Sequence, residues 1–393
     1  MRVVVKFGGT SLGSGDRIER AATSIADAVA AGHEVVVVAS AMGSTTDDLL
    51  EAITFEADDA DRAEIVSMGE RTSVRMLKAA LAAQGVTATF LEPGDPAWPI
   101  VADAAGDIDI EATRTRSQAL SEELAETVPV VAGFLAETPD GDVMTLGRGG
   151  SDTTAVLLGR EMDADQVVIV TDVEGVMTGD PHVVEGARNV GKITVDELRD
   201  LSFRGAEVIA PSALAYKTSD LPVRVVHFQH QDLLTGGTEV EGEFQNIIDM
   251  GDRQLACLTV AGRAIRNREG VLATLASALA DAEINVDAVT SGMDSITFYV
   301  DAEAAERAET VLHGAVVEDP AMSSVTVDDP YAVIRVLGGE LPNESGVIRG
   351  IVVPLADAGI TVHELVTSAT SVAVFVDWAD REETLALIQE RLG

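Results

Sequence analysis

Residues Val3–Ser11 read VVVKFGGTS, an apolar run that ends in two glycines and two hydroxyl residues. An uninterrupted apolar run predicts a strand that is buried on both faces of a sheet. The two glycines let backbone N–H groups approach an anion closely, and Lys6 adds a positive charge beside them. The alternative is an ordinary strand-to-helix turn. The lysine favours the anion site, because only four of the 393 residues are lysine.

Most of the chain up to residue 245 alternates apolar strand runs with helical patterns. This alternation predicts an α/β layer sandwich with a mostly parallel sheet. Ligands of such a sheet bind at the carboxyl ends of its strands. The predicted strands are Val3–Phe7, Glu34–Ser40, Val128–Ala132, Gln166–Thr171 and Val223–His227, and the predicted helices are Ile18–Ala31, Arg62–Gln84, Asp152–Glu161 and Val195–Arg204.

The remaining third of the chain is an internal repeat with an offset of 76 residues. Residues 256–301 align with 332–377 without gaps, and 15 of the 46 positions are identical. Each copy reads strand, helix, two strands, helix, and the first copy adds a last strand at 324–327. This βαββαβ order predicts a ferredoxin-like unit in each copy. The predicted strands of the two copies are 258–261, 284–290, 295–301, 334–337, 360–366 and 371–377, and the predicted helices are 270–282, 302–312, 346–358 and 381–392.

Two further polar segments adjoin the predicted strands and helices. Residues Leu146–Asp152, LGRGGSD, precede a helix whose N-terminus is an anion site, and Arg148 can bind a carboxylate with two hydrogen bonds. The alternative is a capped helix with one ion-paired arginine. Residues Thr171–Gly175 and Thr178–Pro181 follow a buried strand, where a nucleotide would bind. These residues could also form a plain pair of turns.

The composition is strongly acidic, with 66 Asp and Glu against 27 Lys and Arg and a net charge of −39. Such a surface argues against nucleic acid or anionic lipid as a partner. No apolar run reaches the roughly 18 residues of a membrane span. The single cysteine fits a reducing cytoplasm. The charge is spread evenly, with −25 on residues 1–249 and −14 on 250–393. Together with the scarcity of lysine, this favours a halophilic protein over an ordinary acidic one.

Three other features carry no predicted chemistry. Residues Gly186–Lys192 have the spacing of a phosphate-binding loop, but Ile193 stands in place of its Ser or Thr, so we predict a surface loop. The six histidines show no metal-ligand spacing. Cys257 begins a strand and is predicted to be a small core residue.

Several motifs, in this order along the chain, resemble those of the aspartate kinases in the amino-acid kinase family. They are KFGGTS at Lys6–Ser11, SAMGSTTD at Ser40–Asp47, SMGE at Ser67–Glu70, LGRGGSD at Leu146–Asp152, TDVEG at Thr171–Gly175, Asp180-Pro181 and Gly205-Ala206. The resemblance implies a three-layer αβα amino-acid kinase sandwich (1–247), then two ferredoxin-like ACT domains (253–328 and 329–393).

The resemblance also implies residue roles. Lys6 would neutralise the transferring γ-phosphoryl group, Asp152 would orient Lys6, and Glu70 and Arg148 would bind the α-ammonium and α-carboxylate of aspartate. The implied ATP and phosphate site is Lys6, Gly8, Gly9, Ser11, Gly149, Gly150, Thr171, Asp172 and Asp180. The implied aspartate site is Ser40, Thr45, Thr46, Glu70, Arg148 and Ser151. The implied effector site is Asn267, Gly270, Val271, Val286 and Asp287.

The implied reaction transfers a phosphoryl group from ATP to the β-carboxylate of L-aspartate and gives 4-phospho-L-aspartate, the first step toward lysine, threonine and methionine. Mg²⁺ would arrive with ATP rather than on protein side chains. Lysine or threonine could act as the effector, and the ACT domains would join the chain into a homodimer or larger assembly. His182, Met177 and Glu207 depart from the family's usual residues at the nucleotide.

Two other functions are open at this stage. One is a kinase of the same fold that acts on another acidic metabolite. The other is an amino-acid sensor whose kinase half is inactive, against which Lys6, Glu70 and Asp152 argue.

Overall fold

The computed structural model describes residues 1–103, 106–122, 124–180, 183–203, 208–243, 247–263, 265, 268–337, 346–368 and 371–392. The chain divides into two compact units, residues 1–245 and 246–393. Strands and helices are numbered below in chain order. No helix among the described residues is long and apolar enough to cross a membrane.

The first unit is built on an eight-stranded sheet in the order β3-β4-β2-β1-β7-β9-β10-β8, in which only the β9–β10 pair is antiparallel. A separate hairpin joins β5 to β6. The strands are β1 (Arg2–Phe7), β2 (Glu34–Ala39), β3 (Ala88–Leu91), β4 (Val128–Ala132), β5 (Leu135–Glu137), β6 (Val143–Thr145), β7 (Gln166–Thr171), β8 (Lys192–Thr194), β9 (Val223–His227) and β10 (Thr238–Glu241).

Helices cover both faces of this sheet, which is why the middle residues of its central strands are mostly buried and apolar. The helices are α1 (Gly15–Ala30), α2 (Thr45–Ala52), α3 (Asp59–Ala83), α4 (Ile110–Ser121), α5 (Gly150–Glu161), α6 (Val195–Phe203) and α7 (Pro211–Leu214). Two begin three residues before their predicted starts, because Ser14 caps α1 and Asp58 caps α3. The predicted α/β sandwich is confirmed.

The second unit is one continuous sheet in the order β13-β14-β12-β15-β17-β16, with β11 paired to β15. Four helices complete the two ferredoxin-like units. The strands are β11 (Ile247–Met250), β12 (Leu255–Ala261), β13 (Ala288–Ser291), β14 (Ser295–Asp301), β15 (Ser324–Leu337), β16 (Val362–Thr367) and β17 (Ser371–Asp377), and the helices are α8 (Val271–Asp281), α9 (Ala305–Glu318), α10 (Val347–Asp357) and α11 (Arg381–Leu392).

The predicted strands at 324–327 and 334–337 are in fact one strand, so predicting them as separate was wrong. β15 pairs with β12 through its first half and with β17 through its second half. Pro330 lies where the pairing with β12 shifts register between Leu255 and Cys257. An irregular ladder tolerates a residue without an N–H, so the proline does not end the strand.

The last strand of the second repeat copy comes from β11, which precedes both copies in the chain. Val325 pairs with Val260 in the first copy, and Ile248 pairs with Val336 in the second. Val336 is the repeat equivalent of Val260, so β11 occupies the same register as the first half of β15. The sequence alone showed no such strand for the second copy.

Candidate active site

The strands β1 and β7 end side by side, and Lys6 lies at this edge of the sheet. Its Nζ is 2.6 Å from Oδ1 of Asp152, and both side chains are largely buried. The other carboxylate oxygen of Asp152 accepts the N–H of Ala210 at 3.2 Å. The structure therefore brings together the lysine of the first glycine-rich turn and the aspartate of the second.

Helix α5 begins at this ion pair because Gly149 adopts a left-handed conformation before it, with φ +73°. A Cβ on Gly149 would lie 1.9 Å from that of Ala210, so no other residue fits. Thr153 and Asp152 donate their N–H groups to the Gly149 carbonyl. This geometry directs the helix N-terminus, with its partial positive charge, toward the site.

A cavity of about 510 Å³, here called the Glu70 cavity, lies on one side of the ion pair. This is a normal volume for a small-molecule site. Glycines and small polar residues form much of its wall, which leaves backbone groups accessible. The lining residues are Lys6, Gly9, Ser40, Ala41, Gly43, Thr46, Asp47, Leu50, Glu70, Phe134, Gly147, Arg148, Gly149, Gly150, Ser151 and Asp152.

Glu70 lies on α3 and is 2% exposed. Its Oε1 accepts the N–H of Ala41 at 3.0 Å, whereas Oε2 is buried without a hydrogen-bond partner. Burial raises the pKa of Glu70 from 4.5 to about 7, and the hydrogen bond from Ala41 opposes part of this rise. A buried carboxylate with one unused oxygen beside a cavity is ready to accept a cationic group.

A second cavity of about 380 Å³, the Thr171 cavity, lies on the other side of the ion pair. Its walls combine the end of β7 with apolar residues that lead into α7. The lining residues are Lys6, Arg148, Gly149, Asp152, Ile169, Thr171, Ser202, Val208, Ile209, Ala210 and Pro211. Lys6, Arg148, Gly149 and Asp152 thus line both cavities.

Several predicted phosphate-site residues have other contacts. The Gly8 N–H is donated to the Val170 carbonyl at 3.1 Å, so the predicted phosphate contact of this N–H is not supported. Ser11 is buried, and its hydroxyl donates to the same carbonyl. Asp172 and Asp180 are not among the lining residues of the Thr171 cavity; Asp172 accepts a hydrogen bond from the Thr171 hydroxyl.

In the predicted aspartate site, Thr46 lines the Glu70 cavity, but Thr45 does not and donates its hydroxyl to the Met42 carbonyl instead. Of the unusual nucleotide-site residues, Met177 pairs with Asn189 in an isolated bridge. His182 and Glu207 lie outside the described residues.

The predicted effector residues fall in the first ferredoxin-like copy. Gly270 and Val271 form the start of α8, and Val286 packs on the core of that copy. Asp287 accepts a hydrogen bond from Arg253 at 3.1 Å, and its other carboxylate oxygen is buried without a hydrogen-bond partner. Asn267 is not in the described part of the chain.

The sequence reasoning missed Leu50 and Phe134 in the Glu70 cavity, and Val208 and Ile209 in the Thr171 cavity. Phe134 has φ +68°, which is rare for a bulky residue. Nothing in its sequence neighbourhood predicts this conformation. The pair at 208–209 directly follows the Gly205-Ala206 motif and Glu207, and this proximity was the available signal.

Comparison with known proteins agrees with this geometry. The model of the amino acid kinase family matches residues 1–227, and two ACT domain models match residues 258–316 and 326–390. The aspartokinase of Mycolicibacterium smegmatis is 32% identical over 100% of this chain and 96% of its own length. That of Geobacillus stearothermophilus is 33% identical over 95% of this chain and 93% of its own length.

The chain belongs to the aspartokinases.

Solved aspartokinases have the same fold. The Synechocystis aspartate kinase superposes with a TM-score of 0.82 at 26% identity over 99% of this chain and 69% of its own. Escherichia coli aspartokinase III in complex with aspartate and ADP gives 0.54 at 25% identity over the full length of both chains. This aspartokinase therefore uses ATP to phosphorylate aspartate and carries two regulatory ACT domains. The comparisons favour an active aspartokinase over a kinase with another acidic substrate and over an inactive sensor.

Proposed function

We propose that the Glu70 cavity binds L-aspartate, that the Thr171 cavity binds ATP, and that the phosphoryl group passes between them at Lys6. The observation that supports this most directly is that the two cavities share the Lys6–Asp152 ion pair and the Arg148-Gly149 turn. Two substrates in adjoining cavities would meet at these shared residues.

The α-groups of aspartate fit the charges at the Glu70 cavity. Glu70 has an unused buried oxygen for the α-ammonium, and Arg148 offers a guanidinium that matches the α-carboxylate. Ser40, Thr46 and Ser151 add hydroxyl or backbone donors along the same wall. The β-carboxylate would then point toward Lys6.

The transfer itself requires no general base, because the β-carboxylate is already ionised at neutral pH. A carboxylate oxygen forms a bond to the γ-phosphorus as the bond from that phosphorus to the β,γ-bridging oxygen breaks, and ADP leaves. Lys6 and the N-terminus of α5 stabilise the negative charge on the transferring group. Asp152 holds Lys6 in place at 2.6 Å. At the first turn we assign the phosphate-facing role to Gly9 and Lys6.

Mg²⁺ has no ready-made site in the described part of the chain, where no cluster of three or more His, Cys, Asp or Glu could hold a metal ion. We therefore propose that Mg²⁺ arrives bound to the ATP phosphates. When bound, it supplies charge neutralisation on the β- and γ-phosphates.

The experiment is a steady-state assay with Mg-ATP and L-aspartate, L-glutamate or no acid, in which hydroxylamine traps the acyl phosphate. We expect product with aspartate. Arg148→Lys should raise KM for aspartate at least tenfold, because lysine cannot bind a carboxylate with two parallel hydrogen bonds. Arg307→Lys, which changes an exposed arginine on α9, is the matched control. An unchanged KM in Arg148→Lys would reject the proposed site.

Regulation and assembly are further parts of the proposal. Gly270, Val271, Val286 and Asp287 form part of a site for lysine or threonine, and β13 is an edge strand that can pair with a second copy into a homodimer or larger assembly. Activity measured with each amino acid, together with calorimetric titration, tests the effector. No inhibition and no heat from either would reject it. Light scattering tests the assembly, which a monomer at micromolar concentration would reject.

We also propose that the enzyme works in a cytoplasm of high salt and makes the first intermediate toward lysine, threonine and methionine. The net charge of −39 supports the salt proposal, since salt screens self-repulsion. The unfolding temperature should rise steadily between 0.1 and 3 M KCl. A flat or falling temperature would reject it.

A further inference from the structure

Two residues of the Glu70 cavity, here together called the wall, also line a third cavity. This Arg62 cavity has a volume of about 410 Å³ and lies between α3 and the β5–β6 hairpin. Among the described residues, Leu50 and Phe134 are the two that line both cavities.

Phe134 is held in place through its backbone. Its φ of +68° is unfavourable for a phenylalanine, so surrounding contacts must enforce it. Its N–H donates to Oγ1 of Thr154 at 3.2 Å, and its carbonyl accepts the N–H of Leu146 at 2.8 Å. Thr154 is fully buried, and its hydroxyl donates to the Gly150 carbonyl. The first turn of α5 therefore fixes the position of Phe134.

The ring of Phe134 also lies close against α5. A Cβ on Gly150 would be 2.8 Å from its Cδ2, so the helix start and the ring are in direct contact. Leu50 lies on α2, and it is 39% exposed. The ring is thus the rigid part of the wall, and Leu50 is the adaptable part.

We propose that Phe134, supported by Leu50, sets the length of the amino acid that the enzyme phosphorylates. This rests on the proposed function, in which the α-groups are held at Glu70 and Arg148 and the side-chain carboxylate is held at Lys6. An acid with one more methylene needs extra room along this line. Phe134 and Leu50 occupy that space in the wild type. The Arg62 cavity could supply it if their side chains were smaller.

Removal of the wall should join the two cavities. Phe134→Ala removes the ring, and the alanine must adopt the same positive φ as the phenylalanine. The longer side chain of L-glutamate or L-2-aminoadipate could then bend into the opened space, with its α-groups at Glu70 and Arg148 and its terminal carboxylate at Lys6. The chemistry is unchanged: the terminal carboxylate oxygen bonds to the γ-phosphorus, the β,γ-bridging oxygen leaves with ADP, and hydroxylamine traps the acyl phosphate.

The test compares kcat/KM for L-aspartate, L-glutamate and L-2-aminoadipate in the wild type, Phe134→Ala and Leu50→Ala. Phe55→Ala, at an exposed phenylalanine outside these cavities, is the matched control. One methylene in a hydrophobic pocket is worth roughly 10- to 200-fold in selectivity. We therefore expect the preference for aspartate over glutamate to fall at least tenfold in Phe134→Ala and severalfold in Leu50→Ala, with no change in Phe55→Ala.

An unchanged preference in folded Phe134→Ala would overturn the inference, as would a wild type that uses glutamate as well as aspartate. If Phe134→Ala fails to fold, Leu50→Ala decides, because its helical position carries no backbone strain. Arg148→Lys, measured in parallel, separates the two proposals. If Arg148→Lys raises KM for aspartate but the wall variants keep the wild-type preference, only the role of the wall is rejected. If Arg148→Lys leaves KM unchanged, the proposed aspartate site and the role of the wall are both rejected.

Discussion

Replacement of Glu70 by glutamine should make the unliganded enzyme more stable at alkaline pH and less active. The wild-type carboxylate is buried, one oxygen has no hydrogen-bond partner, and its pKa is about 7. Glutamine keeps an oxygen for the Ala41 N–H and removes the charge. In the proposed site, the α-ammonium of aspartate would supply the missing cation.

The size of the effect follows from the pKa. A carboxylate whose pKa is raised in the folded state binds more protons folded than unfolded, so its contribution to stability falls as pH rises between the two pKa values. A rise from 4.5 to about 7 corresponds to roughly 3 kcal/mol, fully lost above pH 7. For a unit of this size, about 3 kcal/mol is roughly 6–12 °C in unfolding temperature.

The assay is thermal unfolding from pH 5 to 9 without substrates, together with kinetics. The gain in Glu70→Gln should be large at pH 8 and small at pH 5. Its kcat/KM for aspartate should fall roughly 100-fold, since a buried charge loses its partner. The KM of the wild type for aspartate should drop as pH rises through about 7. The KM of Glu70→Gln should not depend on pH in this range. Glu64→Gln, at an exposed position on the same helix, should change little. A variant that is no more stable at pH 8, or that keeps its KM, would refute this account.

Three further predictions concern other parts of the chain. Lys6→Met should lower kcat at least 1000-fold in the trapping assay while the second unit unfolds at its usual temperature; residual activity above that level would contradict the role given to this lysine. Gly149→Ala should destabilise the first unit by about 3 kcal/mol or more, because its Cβ would overlap Ala210, whereas Gly141→Ala, with a similar φ and open space, should cost about 1 kcal/mol. Equal denaturant midpoints for the two would reject the overlap. Ile248→Asp should lower the unfolding temperature of the second unit, because it places a charge against the core of the second ACT copy; an unchanged transition would show that β11 contributes nothing.

The layer architecture was predictable because hydrophobic periodicity reports burial directly. The strand run at Val3–Phe7 and the repeat at a 76-residue offset each follow from local pattern. The merging of two predicted strands into β15 was not predictable. Its middle residues, Asp328-Asp329-Pro330, are typical of a turn, and only the bulged ladder with β12 shows why the strand continues.

In the candidate site, too, some features were predictable from the sequence and others were not. The residues at Lys6 and Arg148 stood out because glycines flank them in an acidic chain. The raised pKa of Glu70 is caused by the burial of its side chain in the folded unit, which no local pattern encodes. The left-handed conformation of Phe134 is likewise imposed by Thr154, twenty residues further along the chain. Long-range contacts decide these properties, so they appear only in the folded structure.

The position of β11 determines the order in which the protein can fold during synthesis. This strand leaves the ribosome first, but its partner in β15 follows about 85–90 residues later, a delay of several seconds at ordinary translation rates. The first ACT copy can form all its strand pairs before the second half of β15 is available. The second copy cannot pair β11 with β15 until then. A nascent chain of this protein therefore exposes the apolar side of Ile248 and Met250 until synthesis is nearly finished, and this short segment is where a chaperone would bind.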